Sequence, residues 1–153
     1  MISGLQVREA VPADLSVIKS LVDKSRNELG FVPLPALART LERGWLFVAE
    51  VSGEVIGATD WWTRRDRVVV LYNMVVDSAC RKRGVGQGLL RALVDWARVR
   101  DMREIRLKCP HELPSNGFYR KAGFALSGCE PGKRRLLNCW VLDLQPTTHE
   151  VPA

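Results

Sequence analysis

Apolar and polar residues repeat with two different periods in the first third of the chain. Leu5–Glu9 alternates, as a short strand does, and the apolar positions of Leu15–Arg26 recur at the three- and four-residue spacing of a helix. Asn27–Pro35, which contains one glycine and two prolines, breaks this pattern before a second short helix that ends near Arg43. This part of the chain is therefore predicted as strand, helix, loop, helix.

Three strongly apolar runs follow and are predicted to be consecutive strands. Trp45–Val51 and Val55–Trp62 flank Ser52-Gly53, which is typical of a hairpin connection. Arg64–Arg67 then reverses the chain into Val68–Val76. This third run leads directly into a glycine-containing segment.

Helix and strand patterns alternate after that segment. An amphipathic helix is predicted from about Gly86 to Arg98, because its apolar residues fall on one face. Ile105–Cys109 alternates as a strand, and a short helix through Ala122 follows, ended by Gly123.

The last two strands are predicted to form a hairpin. Phe124–Cys129 and Leu136–Leu144 flank Pro131-Gly132, which suits the central positions of a type II turn. Together the elements predict one α/β (α+β) domain over residues 1–144, with a mixed, largely antiparallel sheet of about seven strands and helices on both faces. Residues 145–153 lack periodicity and are predicted to be a disordered tail.

Length and composition are those of a globular domain. The chain has 153 residues, of which 46% are hydrophobic and 26% charged, and it has no apolar run of membrane-spanning length and no signal-like start. A cytoplasmic location is expected. The four cysteines lack metal-ligand spacing, so no metal site is expected and free, buried thiols are predicted at Cys80, Cys109, Cys129 and Cys139.

The formal charge of +6 is compatible with nucleic acid, with an anionic cofactor or with a solvated surface. The basic residues occur in short, scattered clusters, and no long basic arm or nucleic-acid-binding motif connects them. Nucleic acid is therefore an unlikely partner, because an anionic cofactor accounts for a modest positive excess.

The segment Arg81–Leu90, RKRGVGQGLL, is the strongest candidate for chemistry. Gly84 and Gly86 let the backbone turn with exposed amides, and the following helix begins with unpaired N–H groups and the positive end of its dipole. Three cations precede the glycines. This arrangement favours a phosphate, especially a pyrophosphate, held mainly by main-chain donors.

Two common phosphate motifs do not fit this segment. The dinucleotide pattern GxGxxG would need glycine where the chain has Leu89, and the GK[ST] of a P-loop is absent. The remaining pattern, RxxGxG at Arg81, Gly84 and Gly86, resembles the acetyl-CoA signature of the GNAT superfamily of N-acetyltransferases. NGFYRKAGF, ending at Phe124, resembles a later conserved block of that superfamily, and the predicted element order is similar from near residue 3 to near residue 144.

The resemblance implies an enzyme that transfers an acetyl group from acetyl-CoA directly to a primary amine, on a protein N-terminus, a lysine or a small molecule, without a metal. It also implies that the end of the third apolar strand contacts the pantetheine arm, that the glycine turn holds the pyrophosphate, and that Tyr119 protonates the leaving thiolate. The implied cofactor-binding residues are Met74, Val75, Val76, Arg81, Lys82, Arg83, Gly84, Val85, Gly86, Gln87, Asn116 and Tyr119.

Two departures from the family pattern leave the general base open. Many relatives have an asparagine about seven residues before the tyrosine, where this chain has Glu112, and its own asparagine, Asn116, lies three before. Some relatives use a glutamate on the strand before the glycine turn, but Val68–Val76 contains no carboxylate. The candidates are Glu28, Asp60, His111 and Glu112, and a water chain or an amine that arrives neutral would need none of them.

The acetyl acceptor and the assembly state also stay open. By the resemblance, the interhelical segment Asn27–Phe31 and the last hairpin at Glu130–Arg135 are expected to shape the acceptor site. A non-catalytic acyl-CoA sensor is the main alternative, and a basic nucleic-acid-binding domain is a weaker one. Either a monomer or a homodimer fits the sequence.

Overall fold

A computed structural model describes residues 2–144, so the predicted disordered tail lies outside the described residues. The helices are α1 (Leu15–Lys24), α2 (Arg26–Leu29), α3 (Leu34–Arg43), α4 (Val85–Val99) and α5 (Ser115–Lys121). The strands are β1 (Leu5–Glu9), β2 (Leu46–Val51), β3 (Glu54–Thr63), β4 (Val68–Val76), β5 (Glu104–Pro110), β6 (Ala125–Pro131) and β7 (Leu136–Asp143). Within residues 2–144, no helix combines the length and the apolarity needed to cross a bilayer.

The strands form one seven-stranded sheet in the order β1-β2-β3-β4-β5-β7-β6. The pairs β1–β2, β2–β3, β5–β7 and β6–β7 are antiparallel, whereas β4 and β5 run parallel. The predicted mixed, largely antiparallel sheet of about seven strands is confirmed.

The described residues divide into two compact units, of which the first comprises residues 2–62 and 71–93. Side chains of a strand alternate between the two faces of a sheet, so Val48 and Ala49 of β2 belong to different clusters. Helices α1 and α3 cover one face of this unit, and the start of α4 covers the other. Helices on both faces were predicted, and this unit has them.

The first turns of α4 approach β3 closely because Gly57 has no side chain. A Cβ atom at this glycine would lie 3.0 Å from the Val75 carbonyl oxygen, 3.1 Å from Val85 Cγ1 and 3.3 Å from Leu89 Cδ1. Val85 and Leu89 are both buried. The position of the glycine turn that precedes α4 is therefore fixed by packing beneath it.

Of the described residues, the second unit comprises 63–70 and 94–144. Here Val68–Val70 of β4 pair in parallel with Glu104–Arg106 of β5, and β7 pairs with β5 and β6. Its buried side chains come from β4, α4, β5, α5, β7 and the residues that directly precede β6 and follow β7: Val68, Val69, Ala97, Ile105, Leu107, Cys109, Tyr119, Phe124, Trp140 and Leu144.

Two connections differ from the sequence prediction. A short helix, α2, interrupts the segment expected to be a loop, so the amino-terminal region has three helices rather than two. The predicted type II turn centred on Pro131-Gly132 is wrong. The β6–β7 ladder continues through Pro131 and Leu136, and the Gly132 amide donates to the Arg135 carbonyl oxygen at 2.8 Å. Extending the ladder adds hydrogen bonds that the earlier turn would forgo.

The cysteines also differ in part. All four are free thiols, as predicted, but only Cys109 is buried. Cys129 is exposed on β6, and Cys80 and Cys139 are half-buried. The predicted burial is wrong for these three because they lie in the segment after β4 or in the solvated terminal hairpin.

We expect Gly57→Val to lower the free energy of unfolding by about 1–3 kcal/mol, because the new side chain overpacks the contact between β3 and α4. Chemical denaturation measures this change. The matched control is Gly117→Ala on α5, where an added Cβ meets no atom within 4 Å and the expected effect is neutral or stabilising. Equal stability of Gly57→Val and the unaltered protein would contradict the packing argument.

Candidate active site

The glycine turn has the left-handed backbone that an anion-binding loop uses. Asp77 Oδ1 accepts a hydrogen bond from the Ala79 amide at 3.0 Å and starts a short 3₁₀ turn at Ser78–Cys80. Beyond it, Lys82 has a φ of 62° and Gly84 a φ of 87°. A non-glycine residue adopts this region only when its surroundings hold it there. The surrounding structure therefore holds the loop in a defined conformation.

The amino terminus of α4 presents main-chain donors directly after this loop. The Gly88 amide donates to the Gly84 carbonyl oxygen at 3.0 Å, so the amides of Val85, Gly86 and Gln87 precede the hydrogen bonds of the helix. The side chain of Val85 is buried, whereas Gln87 is exposed. Within residues 2–144 these amides have no hydrogen-bond partner, and they lie at the positive end of the helix dipole, where they suit an anionic group.

A cavity of about 270 Å³ lies beside this turn, and its lining includes Gly84, Gln87 and Arg91. The Arg83 carbonyl oxygen accepts a hydrogen bond from the Ile2 amide at 3.0 Å, which ties the loop to the start of the chain. The side chains of Lys82 and Arg83 are exposed, so it is the loop backbone that makes this contact with Ile2.

Arg81 and Glu28, which the sequence assigned to different roles, form an ion pair. Arg81 Nη2 lies 3.0 Å from Glu28 Oε1 and 3.4 Å from Ser25 Oγ, and its Nε donates to the Val76 carbonyl oxygen at 3.3 Å. The guanidinium thereby links α2 to the end of β4. The pair engages one carboxylate oxygen of Glu28 and ties that side chain to the loop.

The end of β4 has a free edge in the first unit. Leu71–Val76 is the last strand segment of that unit, so the edge of β4 away from β3 has no strand partner within it. Val75 packs with the α1 and α3 side chains, while Met74 and Val76 pack with those of α4. Side chains on both faces therefore hold Met74–Val76 in place and leave backbone groups at the edge.

Asp60, on β3, is buried beneath this strand. It is 3% exposed, and its carboxylate accepts hydrogen bonds from Thr40 Oγ1 at 3.1 Å and from Asn73 Nδ2 at 2.8 Å. Burial raises the pKa of Asp60 to about 6, and the hydrogen bonds from Asn73 and Thr40 offset part of that effect. Because the carboxylate is enclosed, it does not contact a substrate directly.

Tyr119 lies in the second unit, on α5. Its ring packs edge to face against Phe118 and Phe124, with centroids 5.2 and 5.5 Å away. Burial raises the pKa of Tyr119, and the nearby Cys109 adds to the effect. Across residues 2–144 the hydroxyl has no hydrogen-bond partner, yet its oxygen is not fully enclosed. The Tyr119 hydroxyl is therefore a protonated hydrogen-bond donor at the end of a buried ring.

His111 and Glu112 belong to a surface network of polar side chains in the same unit. His111 Nδ1 lies 3.6 Å from Glu112 Oε2, and Arg135 Nε lies 3.3 Å from Glu112 Oε1. The side chains of His111 and Glu112 are each about half exposed. Arg135, from the predicted acceptor region, therefore pairs with one of the base candidates.

The side chain of Asn116 is occupied by internal hydrogen bonds. Its Nδ2 donates to the carbonyl oxygens of Pro110, His111 and Leu113 at 2.8–3.2 Å. Its Oδ1 accepts from Asn138 Nδ2 at 3.0 Å and from Trp140 Nε1 at 2.9 Å. An asparagine side chain has two donors and two acceptor positions, so the predicted pantetheine contact would have to use the backbone of Asn116.

The sequence-predicted residues thus fall into two groups. The first unit brings together the glycine turn, the end of β4, the Arg81–Glu28 pair and Asp60, and the second contains Tyr119, Asn116, His111 and Glu112. Sequence reasoning missed Asn73 and Thr40. The available signal was an asparagine inside an otherwise apolar strand, since a polar side chain there requires a partner.

We expect Asp60→Asn to change how stability depends on pH. The folded protein keeps the Asp60 proton up to about pH 6, while the ordinary carboxyl value is 3.8, so between these values the folded state binds more protons. Stability from this group therefore falls by roughly 2–4 kcal/mol as pH rises from about 4 to above 6. Relative to the unaltered protein, Asp60→Asn gains stability over this window.

Chemical denaturation at pH 4, 5, 6 and 7 measures the effect. Asp95→Asn, which removes an exposed carboxyl on α4, is the matched control and should keep the pH dependence of the unaltered protein. If Asp60→Asn also kept that dependence, the carboxyl of Asp60 would not be held in the environment described.

Comparison with known proteins identifies the family of the chain. The family model described as "Acetyltransferase (GNAT) family" matches residues 18–124, more than two thirds of the chain. Glucosamine 6-phosphate N-acetyltransferase 1 of Oryza sativa subsp. japonica is 36% identical over 81 residues, which cover 53% of this chain and 48% of that protein. The chain thus spans about half the length of this curated relative.

Two solved structures share the fold. Ard1 from Thermoplasma volcanium matches with a TM-score of 0.86 and 19% identity, over 94% of this chain and 99% of that one. N-acetylglutamate synthase from Neisseria gonorrhoeae, complexed with coenzyme A and N-acetyl-glutamate, matches with a TM-score of 0.80 and 16% identity, over 95% of this chain and 36% of that one. On the extent of the family match, the chain belongs to the acetyltransferase (GNAT) family.

Proposed function

We propose that this chain is an acetyl-CoA-dependent N-acetyltransferase that passes the acetyl group directly to a primary amine. The observation that carries the proposal is the run of unpaired amides at the start of α4, preceded by the left-handed backbone at Lys82 and Gly84. Family membership and the coenzyme A in the Neisseria synthase structure support the same ligand.

The chain's own groups account for binding of the cosubstrate. The amides of Val85, Gly86 and Gln87 would hold the pyrophosphate, and the edge of β4 at Met74–Val76 would hydrogen-bond the pantetheine arm. Acetyl-CoA would supply an acetyl group activated as a thioester. An amide of this edge, fixed before the reaction begins, would polarise the thioester carbonyl. Arg81 supports the loop through Glu28 and Val76 rather than by pointing at the phosphate.

We assign to Tyr119 the role of donor to the leaving thiolate, following the family pattern. Its raised pKa keeps the hydroxyl protonated throughout the neutral range. An ordinary thiol has a pKa of about 8.5, so complete proton transfer from this tyrosine to a thiolate is uphill. Tyr119 would therefore act mainly by a hydrogen bond that strengthens as negative charge develops on the sulfur.

We propose that no side chain of the described residues serves as a dedicated base. Glu28 is paired with Arg81, Asp60 is enclosed, and His111 and Glu112 lie in a surface network with Arg135. The amine would arrive neutral or lose its proton to water. This reading also accounts for the absence of a carboxylate from Val68–Val76.

The acetyl acceptor is a primary amine, and the relatives suggest which amines to test. The rice relative is named for glucosamine 6-phosphate, and the Neisseria synthase structure contains N-acetyl-glutamate. An assay of coenzyme A release should therefore compare glucosamine 6-phosphate, glutamate, a peptide with a free amino terminus and a lysine peptide blocked at its amino terminus.

The proposal expects amine-dependent release of free thiol and an acetylated product seen by mass spectrometry. Acetyl-CoA binding without transfer to any of these amines would favour the acyl-CoA sensor. Failure to bind acetyl-CoA would overturn both readings.

We expect Gly86→Glu to weaken acetyl-CoA binding by more than 100-fold, because it introduces a negative charge at the helix end that receives the phosphates. Gly86→Ala, which adds only a methyl group, should weaken binding less. Calorimetric titration measures both. Arg98→Glu, an exposed charge change near the other end of α4, is the control and should change affinity less than threefold. Unaltered affinity of Gly86→Glu would place the phosphates elsewhere.

We expect Tyr119→Phe to lower kcat about 10- to 100-fold while the Kd for acetyl-CoA changes less than twofold, since only the hydroxyl is lost. In the unaltered protein, the raised pKa of Tyr119 means that the rate should not fall from tyrosine ionisation below about pH 10. Steady-state kinetics at pH 7–10 tests both. An unchanged kcat would remove Tyr119 from the chemical step.

A further inference from the structure

We infer that Asn73, on β4, binds the amino group of the acetyl acceptor through its Oδ1 atom, and that the buried Asp60 is the positioning residue that turns this oxygen outward. The inference rests on the proposed function and adds a specificity-determining residue to it.

The orientation of the Asn73 amide follows from hydrogen-bond chemistry. An ionised carboxylate can only accept hydrogen bonds, so the group that faces Asp60 Oδ1 at 2.8 Å must be the Asn73 NH₂. The backbone is held as well, since Thr59 Oγ1 donates to the Asn73 carbonyl oxygen at 2.8 Å. With both contacts made, Asn73 Oδ1 points away from Asp60.

This oxygen is available to a ligand. In the part of the chain that the structure describes, Asn73 Oδ1 receives no hydrogen bond, and it is not among the fully enclosed polar atoms. Because the NH₂ group donates to a carboxylate, the amide is polarised and its oxygen becomes a stronger acceptor. Asn73 therefore presents one acceptor atom in a fixed direction.

The charge of Asp60 points to a cationic or partly positive ligand. Its two partners, Thr40 and Asn73, are neutral, and no charged group of residues 2–144 contributes to its titration. A buried carboxylate usually has a cation near it, because isolation from water is costly. An N–H of an amine bound at Asn73 Oδ1 would place a partial positive charge on the far side of the amide.

The location also suits an acetyl acceptor. Asn73 directly precedes Met74, the first residue of the edge assigned to the pantetheine arm. Its partner Asp60 contacts Thr40 of α3, on the face of the first unit that α1 and α3 cover. Leu29, within the predicted acceptor segment Asn27–Phe31, packs against the same face.

The chemistry asked of Asn73 is limited to holding the nucleophile. A primary amine can donate one N–H to Oδ1 and keep its lone pair directed at the thioester carbon. As the N–C bond forms, the C–S bond breaks, the surplus amine proton passes to water and the thiolate leaves. No bond to Asn73 is made or broken, so the residue should affect binding of the amine more than binding of acetyl-CoA.

Steady-state kinetics of Asn73→Leu tests the inference with glucosamine 6-phosphate and a peptide with a free amino terminus. We expect the KM for whichever amine is acetylated to rise 10- to 100-fold, with the Kd for acetyl-CoA within twofold of the unaltered protein. Tyr72→Phe, which removes a polar atom from the exposed neighbour on the same strand, is the matched control and should leave the KM within twofold.

Asp60→Asn gives a second variant in case Asn73→Leu does not fold. An amide at position 60 can both donate and accept, so Asn73 is free to reverse, and the KM for the amine should rise 3- to 10-fold with kcat changed less. A structural role alone would lower the amount of folded protein without this KM effect. Amine KM values within twofold for both variants would overturn the inference.

The two levels of the account fail differently. If the unaltered protein binds acetyl-CoA but acetylates neither amine nor the others of the panel, the proposed function fails and the inference fails with it. If the unaltered protein acetylates an amine and Asn73→Leu acetylates it with the same KM, only the role of Asn73 is overturned.

Discussion

The contact between Gly57 and the first turns of α4 is the constraint on which the candidate site depends. A helix amino terminus binds an anion only if its free amides are held in a fixed place, because a mobile turn would have to be ordered at the time of binding. Val85 and Leu89 are buried against a glycine that leaves no room for a side chain. The same packing includes Val75, so the amides of α4 and the edge of β4 are positioned by one set of contacts.

The charged side chains Arg81 and Asp60 hold neighbouring groups of the protein in place. Arg81 connects α2 to the end of β4 through Glu28 and the Val76 carbonyl oxygen. Asp60 orients Asn73 from within the core. In both cases the ionic group acts through a neighbour, and in our proposal main-chain amides and one amide oxygen are the groups that contact the substrates.

The sequence predicts the parts of this arrangement that depend on local pattern. Apolar runs indicated the strands, and the position of Gly84 and Gly86 between a strand and a helix indicated the phosphate turn. The sequence does not predict which distant side chains pair with each other. Arg81 and Glu28 are separated by 53 positions, and Asn116 accepts from Trp140 across 24 positions. Composition and spacing do not reveal such contacts, so the sequence alone does not show that Glu28 is paired with Arg81.

The turn at Pro131-Gly132 and the residue Asn73 illustrate the same limit. Local turn preference favoured the proline-glycine pair, but two further rungs of strand pairing moved the reversal to residues 132–135. In the sequence, Asn73 is an isolated amide side chain in an otherwise apolar strand. The orientation of its side chain depends on the hydrogen bond to Asp60, which lies 13 positions earlier on the neighbouring strand.

Thermal unfolding with and without acetyl-CoA tests the central claim most directly, because the proposed binding of coenzyme A by the amides of α4 requires the folded protein. At a ligand concentration 100 times the Kd, binding adds about 2.7 kcal/mol, which corresponds to several degrees in Tm for a chain of this length. The account predicts this rise with acetyl-CoA and a much smaller one with ATP or NAD at the same concentration. An unchanged Tm with acetyl-CoA, or equal shifts with all three ligands, would contradict it.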